Sequence, residues 1–337
     1  MSLRSPGSAP PGILAAIGRT PLVELRNLLP GFGGRVFAKL ERSNPGGSIK
    51  DRTAYAMLRG PLESGELVPG RSVVVESSSG NLAIGLAQVC RYFDLRFVCV
   101  VDARTTSRNL ALLAAYQAEV EVITEPDPAS GEYLPARLAR VRELAATIPH
   151  AFWPNQYTNP LNPAAHHETM AEIAGELGGR VDFLFASAST FGTLRGCADH
   201  IRATGMGTRV IGVDATGSVI FGREAGPRLL PGHGASVVPP LTDPSLIDEV
   251  VHVSDLDSVV ACRRLLRREA VLAGGSSGAV VAALERLSPR IPDGAHCVLV
   301  FADGGDRYLD TIFSDAWVTA HFGEVAHLWA PRDLSGV

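Results

Sequence analysis

Short β-rich runs alternate with longer helical patterns along this chain, and that order leaves few folds open. Arg71-Ser-Val-Val-Val-Glu76 precedes a helical pattern from Asn81 to Tyr92, Phe97-Val-Cys-Val-Val101 precedes one from Thr106 to Tyr116, and Val120-Glu-Val-Ile123 follows. A strand that reaches the next strand through a helix belongs to a parallel sheet covered by helices. The second half repeats the pattern: Phe183-Leu-Phe-Ala186 leads to a helix near Leu194–Thr204, Arg209 to Val213 is a further strand, and Cys297-Val-Leu-Val-Phe301 closes the series. With 337 residues, 46% of them hydrophobic, the chain can build two such domains with sizeable cores. The expectation is two α/β domains with a cleft between them, walled by the Pro- and Gly-rich loops 152–163 and 226–244.

Charge narrows the partners. A net charge of -4 with no long Lys/Arg run offers no footprint for nucleic acid or an anionic membrane, so small polar substrates are expected. Residues 1–12 lack the apolar core of a signal peptide and no stretch is long enough to cross a bilayer, which points to a cytoplasmic protein. Cys90, Cys99, Cys197, Cys262 and Cys297 lie mostly in apolar runs without metal spacing, and read as reduced packing residues. His166 and His167 are expected on a helix surface; His-His-Glu is not a zinc motif, and no metal is expected.

Four loops carry the chemistry. In Ser43-Asn-Pro-Gly-Gly-Ser-Ile-Lys-Asp-Arg52 a glycine-rich turn enters a helix expected to begin around Ser48, so Lys50 falls in the first turn. There the positive helix end disfavours the ammonium form and favours a nucleophilic amine; the bland alternative is a solvated lysine. Glu76-Ser-Ser-Ser-Gly-Asn-Leu82, between strand and helix, offers hydroxyls and N–H groups to a carboxylate, beyond what one N-cap needs. Ser187-Ala-Ser-Thr-Phe-Gly-Thr193 has the small residues of a phosphate cup without the pattern of a nucleotide-binding P-loop. Ala273-Gly-Gly-Ser-Ser-Gly-Ala279 also satisfies GxSxG, so a hydrolase is the rival from another class, with Asp293, Asp303, His296 and His321 as formal partners.

Taken together and in this order, these loops resemble the fold type II pyridoxal 5'-phosphate (PLP) enzymes, specifically the cysteine synthase/cystathionine β-synthase group, from Gly18-Arg-Thr-Pro-Leu22 to Asp303-Gly-Gly-Asp-Arg-Tyr-Leu-Asp-Thr311. The resemblance implies a tryptophan synthase β-like α/β fold, with two open twisted mostly parallel sheets flanked by helices and an active site in the cleft. It implies an N-terminal arm over 1–21, a large PLP-binding domain over 22–43 and 153–337, and a small mobile domain over 44–152. Lys50 becomes the Schiff-base lysine and Asn81 the partner of the cofactor's phenolic oxygen. Ser77, Ser78, Ser79 and Gly80 would hold the substrate carboxylate, and Ser189, Thr190, Gly192 and Thr193 the cofactor phosphate, with Phe191 where the family usually has glycine. Ser276 would meet the pyridine nitrogen, and a hydroxyl there supports little positive charge, which suits β-elimination and β-replacement.

Within the group, Gly212-Val-Asp-Ala-Thr-Gly-Ser-Val-Ile-Phe-Gly222, Leu230-Pro-Gly-His-Gly-Ala-Ser236, Pro244-Ser-Leu-Ile-Asp-Glu-Val250 and the Ser-Ser-Ser-Gly-Asn-Leu loop resemble the siderophore and antibiotic branch. That branch converts O-phospho-L-serine through an aminoacrylate with L-glutamate to N-(2-amino-2-carboxyethyl)-L-glutamate and phosphate, and a second, oxidative enzyme cleaves the product to 2,3-diaminopropionate. Arg137, in the run Leu134–Leu144, is the candidate for glutamate, with Gln156, Tyr157, Ser189 and Gly234 as further substrate contacts; the alternative for Arg137 is a solvated helix face. Arg223 or Arg228 would meet the leaving phosphate. A homodimer is implied. A cysteine synthase using O-phosphoserine or O-acetylserine with sulfide shares every cofactor residue, while a dehydratase and a non-enzymatic binding module are the remaining readings.

Overall fold

A computed structural model describes residues 12–129 and 131–330. In chain order its elements begin β1 (Leu22–Glu24), β2 (Arg35–Leu40), α1 (Lys50–Ser64), β3 (Val73–Ser77), α2 (Asn81–Tyr92), β4 (Arg96–Asp102), α3 (Ser107–Ala115), β5 (Glu119–Ile123), α4 (Tyr133–Thr147) and β6 (Ala151–Phe152). They continue with α5 (Leu161–Glu176), β7 (Phe183–Ser187), α6 (Gly192–Ala203), β8 (Arg209–Ala215), β9 (Glu249–Val253), α7 (Asp255–Glu269), α8 (Gly275–Leu287), β10 (His296–Phe301) and α9 (Asp315–Phe322).

The chain divides into two compact units. One comprises Ser43–Glu168 with the segment ending at Arg19; the other comprises Thr20–Arg42 and the chain from Thr169 onward. Residues 153–168, which the sequence reading assigns to the large domain, group with the unit of Lys50. The reason is local: Thr53 of α1 hydrogen-bonds Asn162 and His166, and Gln156 donates to Ser77 O.

The Lys50 unit is built on a four-stranded sheet of order β5-β4-β3-β6, parallel throughout. Successive side chains of a strand point to opposite faces. Val74, Phe97, Cys99 and Val101 therefore face Met57, Leu58, Leu82 and Leu86 of α1 and α2, while Val73, Val75, Val98 and Val100 face Val141 and Leu144 of α4. Covering both faces demands the near-continuous apolar runs that the sequence shows here.

The second unit holds a six-stranded sheet of order β1-β2-β10-β7-β8-β9, with β1 antiparallel to β2 and the other neighbours parallel. Its core packs Phe185, Ile211, Val213, Leu299 and Phe301 against the buried residues of α8. Helix α8 approaches α7 where Gly278 has no side chain: a Cβ there would lie 2.2 Å from Ser258 O and 2.5 Å from Cys262 Sγ. α7 is capped at its start by Ser254 Oγ, which accepts from Asp257 N, and carries Arg267 and Arg268 in its last turn, as the helix dipole favours.

Candidate active site

Lys50 is the first residue of α1 rather than lying within a helix already begun at Ser48. The turn before it needs a left-handed residue, Gly47 at φ +86°, and is closed by Asp51, whose carboxylate accepts from Gly46 N. Lys50 is half-buried, and loss of water around its amine lowers its pKa from 10.5 to about 8. Loss of water is the cause, where the sequence alone pointed to the helix end. One signal was overlooked: of the 31 Lys and Arg residues in the chain, just two are lysines. The other, Lys39 on β2, is fully buried and spent on an ion pair with Glu172 at 2.8 Å and a hydrogen bond to Thr20 O.

β3 ends in Ser77 and α2 begins at Asn81, so the serine loop lies against the N-terminus of α2, which has no side-chain cap bond at Gly80. Ser77 Oγ is buried without a hydrogen-bond partner. Ser78 Oγ accepts from Ala83 N at 3.2 Å and more distantly from Gly80 N, and Ser79 O accepts from Asn109 Nδ2 at 2.9 Å. A buried hydroxyl with no partner at the start of a helix is a donor that an anion completes.

The same unit brings Arg137, Gln156 and Tyr157 to this loop. Gln156 Nε2 donates to Ser77 O at 3.0 Å, so its amide already serves the loop. Arg137 on α4 is not on a solvated face: its side chain is 12% exposed, with Nε 3.3 Å from Asp102 Oδ2. That contact is electrostatic, since Nε lacks the alignment of a hydrogen bond. Its charge acts on two neighbours of the loop, the Tyr157 phenol and the Cys99 thiol, both pushed up to about 12 by burial. Cys99 Sγ in turn donates to Ser78 O at 3.2 Å.

His166 corrects the sequence reading. It is fully buried, with Nε2 3.2 Å from Thr53 Oγ1, whereas His167 is exposed. Burial, then the charges of Lys50 and Arg52, hold its pKa well below 6.5, so it packs as a neutral imidazole.

In the second unit the turn after β7 carries Ser189, Thr190, Gly192 and Thr193 into α6, which also has no side-chain cap bond. Phe191 is the N-cap at φ +71°, a left-handed conformation unusual for a side chain, with its buried ring 5.8 Å from that of Phe221. Gly234 N donates to Ala188 O at 2.8 Å, and at φ +73° a Cβ there would meet Ala215, Ser218 and Arg228, so its glycine answers to packing. Ser187 Oγ and His233 Nδ1 are 2.7 Å apart, Arg228 Nη1 donates to His233 O at 3.3 Å, and Arg223 is exposed.

Ser276 is the second residue of α8 and 8% exposed. No strand leads into it; α7 precedes, and Ala273 makes a single bridge to Gly304. A nucleophile elbow needs a strand before the serine, so the hydrolase reading fails here. Three of its four formal partners are engaged elsewhere: His296 Nδ1 with Arg180 O, His321 Nδ1 with Trp317 O, and Asp303 with the Tyr308 hydroxyl. All five cysteines are free and buried. Among the described residues no group of His, Cys, Asp or Glu is placed to hold a metal ion, and no helix is long and apolar enough to cross a membrane.

A half-buried lysine of lowered basicity, two hydroxyl-rich turns at helix starts, and mostly parallel sheets flanked by helices fit the class of fold type II PLP enzymes. The chain belongs to the pyridoxal-phosphate dependent enzyme family, whose profile matches residues 13–303. The N-(2-amino-2-carboxyethyl)-L-glutamate synthases of Ralstonia nicotianae and Cupriavidus metallidurans are 48% and 46% identical to it, each match covering 91% of this chain and 90% of the relative. Among solved structures, the O-acetylserine dependent cystathionine β-synthase of Helicobacter pylori superposes with a TM-score of 0.82 at 31% identity, covering 89% of this chain and 97% of that one.

Proposed function

We propose that the enzyme joins O-phospho-L-serine and L-glutamate by β-replacement, giving N-(2-amino-2-carboxyethyl)-L-glutamate and phosphate. Arg137 carries the reading: a half-buried guanidinium beside the serine loop suits a nucleophile that brings two carboxylates, whereas sulfide needs no such cation. The names and identities of the two relatives support it.

PLP, held through its aldehyde carbon on the Lys50 amine, supplies an electron sink that acidifies the Cα–H of an amino acid and lets its β-substituent leave. Ser189, Thr190, Gly192 and Thr193 would hold its phosphate, Asn81 its phenolic oxygen and Ser276 its ring nitrogen. Lys50 Nζ, set free when the substrate's amino group displaces it and lowered in basicity by burial, takes the proton from Cα and later returns one. Ser77, Ser78, Ser79 and the N–H groups at the start of α2 fix the α-carboxylate, which aligns the Cα–H bond. Phosphate departs with the electrons of the Cβ–O bond, and Arg228 or Arg223 receives it. The glutamate amine then forms the Cβ–N bond and gives up a proton, with Arg137 and Tyr157 orienting its side chain.

The enzyme works in the cytoplasm as a homodimer, with Thr20–Arg42 and 169 onward as the large unit. It supplies 2,3-diaminopropionate for a siderophore or antibiotic together with an oxidative enzyme that cleaves the product. The test is to incubate purified enzyme with O-phospho-L-serine and either L-glutamate or sulfide and to identify products by mass spectrometry. A glutamate adduct formed much faster than cysteine is expected; cysteine without adduct would make it a cysteine synthase.

A further inference from the structure

The carboxyl group of Glu76, one residue before the serine loop, has no part in the mechanism above, yet it accepts four hydrogen bonds beside that loop. It is fully buried at the end of β3. Oε1 accepts from Ser77 N at 2.8 Å and Trp153 Nε1 at 3.1 Å, Oε2 accepts from Gln156 N at 3.2 Å, and Asn155 N also bonds it. Asn155 sits at φ +50°, a left-handed turn that aims these N–H groups at one point. The turn so pinned carries Gln156 and Tyr157, and Gln156 hands the constraint back to the loop through Ser77 O. Its main-chain oxygen accepts from Asn162 Nδ2, and Asn162 meets Thr53, one turn beyond Lys50.

We propose that Glu76 is a positioning residue that fixes the carboxylate-binding serine loop against the 153–157 turn. The proposal rests on the reading of that loop as the subsite of the α-carboxylate. An anion has acceptors for all these N–H groups. A protonated Glu76, or a glutamine, turns one oxygen position into a donor facing another donor, and a clash of this kind in a buried site forces the turn to move. Removing the negative charge would by itself favour a substrate anion, but four donors already surround the charge. Loss of alignment therefore outweighs the gain.

The groups packed around Glu76 are Cys99 on β4 and Tyr157 in the turn, with Arg137 of α4 acting on both. The thiol and the phenol are pushed up to about 12, while Glu76 is raised from 4.5 to about 7, burial outweighing its hydrogen bonds. Within this packing, Glu76 is the group that titrates near neutrality.

The test is a titration of the PLP-loaded enzyme with L-serine, followed by the cofactor absorption band from about pH 6 to about pH 8.5, where the probe's carboxylate stays ionised; affinities are referred to the unprotonated fraction of the probe's amine, so that its own titration drops out. Binding is expected to weaken about tenfold as the pH falls through the Glu76 transition, the loss of one charge-assisted hydrogen bond. Glu76→Gln should bind weakly across the whole range without that limb. Trp153→Phe, which removes one donor and leaves no donor clash, should fold normally and move the limb to higher pH. Full-strength binding by Glu76→Gln, or an unmoved limb in both variants, overturns the proposal. Ser77→Ala tests the underlying reading separately: binding unchanged in this variant removes the subsite and the proposal together. Weakened binding there with full strength in Glu76→Gln removes the proposal alone.

Discussion

Arg137→Met separates recognition of the second substrate from every other step. The methionine keeps the length of the apolar stem and deletes the guanidinium, whose side chain is 12% exposed and held 3.3 Å from Asp102. A charge-assisted bond to a carboxylate contributes about 1.5–3 kcal/mol, so the KM for L-glutamate should rise about 10- to 150-fold. Reaction with O-phospho-L-serine alone, read from the cofactor absorption band, should hardly change, since the serine loop is untouched. The substitution also strands Asp102, whose Oδ1 still accepts from Arg104 N at 2.9 Å, and should cost about 1–3 kcal/mol of stability. Adding Asp102→Asn removes the stranded charge. The double variant should regain stability in chemical denaturation without regaining glutamate affinity. A KM for glutamate that stays at the wild-type value, or an equal loss in the first half of the reaction, refutes the reasoning.

Three further outcomes are expected. Borohydride treatment of the PLP-loaded enzyme should place the cofactor on Lys50 alone, as peptide mass spectrometry will read, and reconstitution of apoenzyme should quicken as the pH rises through about 8; label on Lys39 contradicts the assignment. His233 has its pKa lowered by burial from 6.5 to about 3, so the unfolded chain takes up a proton that the folded chain refuses. Stability is then full above 6.5 and lost as the pH falls, by about 2 kcal/mol at about pH 5, and His233→Asn should flatten that slope in denaturation curves at the two pH values. Gly278→Ala drives a Cβ to 2.2 Å from Ser258 O and should destabilise by about 2 kcal/mol or more, seen as a lower Tm, whereas a glycine kept for a nucleophile elbow would spare the Tm.

The alternation of strand and helix was legible because both faces of these parallel strands are covered, and covered strands must be apolar in near-continuous runs. Asn81–Tyr92 is helical over the residues expected, and the strands at 97–101, 183–186 and 209–213 lie within β4, β7 and β8. β1, β2 and β9 escaped notice: β1 is three residues long, β1 and β9 are the sheet edges, and in the interior strand β2 the charges of Arg35 and Lys39 interrupt the apolar run. The four loops were readable because glycine, serine and threonine before a helix have a local meaning.

What the sequence by itself determined is therefore the family, and with it the expected lysine and glycine- and serine-rich turns, all set by residues adjacent in the chain. What only the tertiary structure decided depends on residues far apart in sequence. Lys50 owes its lowered basicity to burial, and His166 is buried because Thr53 packs on it from 113 positions away. Arg137 leaves solvent because Asp102 ends the strand beside it, and Glu76 gathers donors from a turn 77 to 80 residues downstream. Desolvation and ion pairing are properties of packed neighbours, and no local pattern encodes which neighbours those will be.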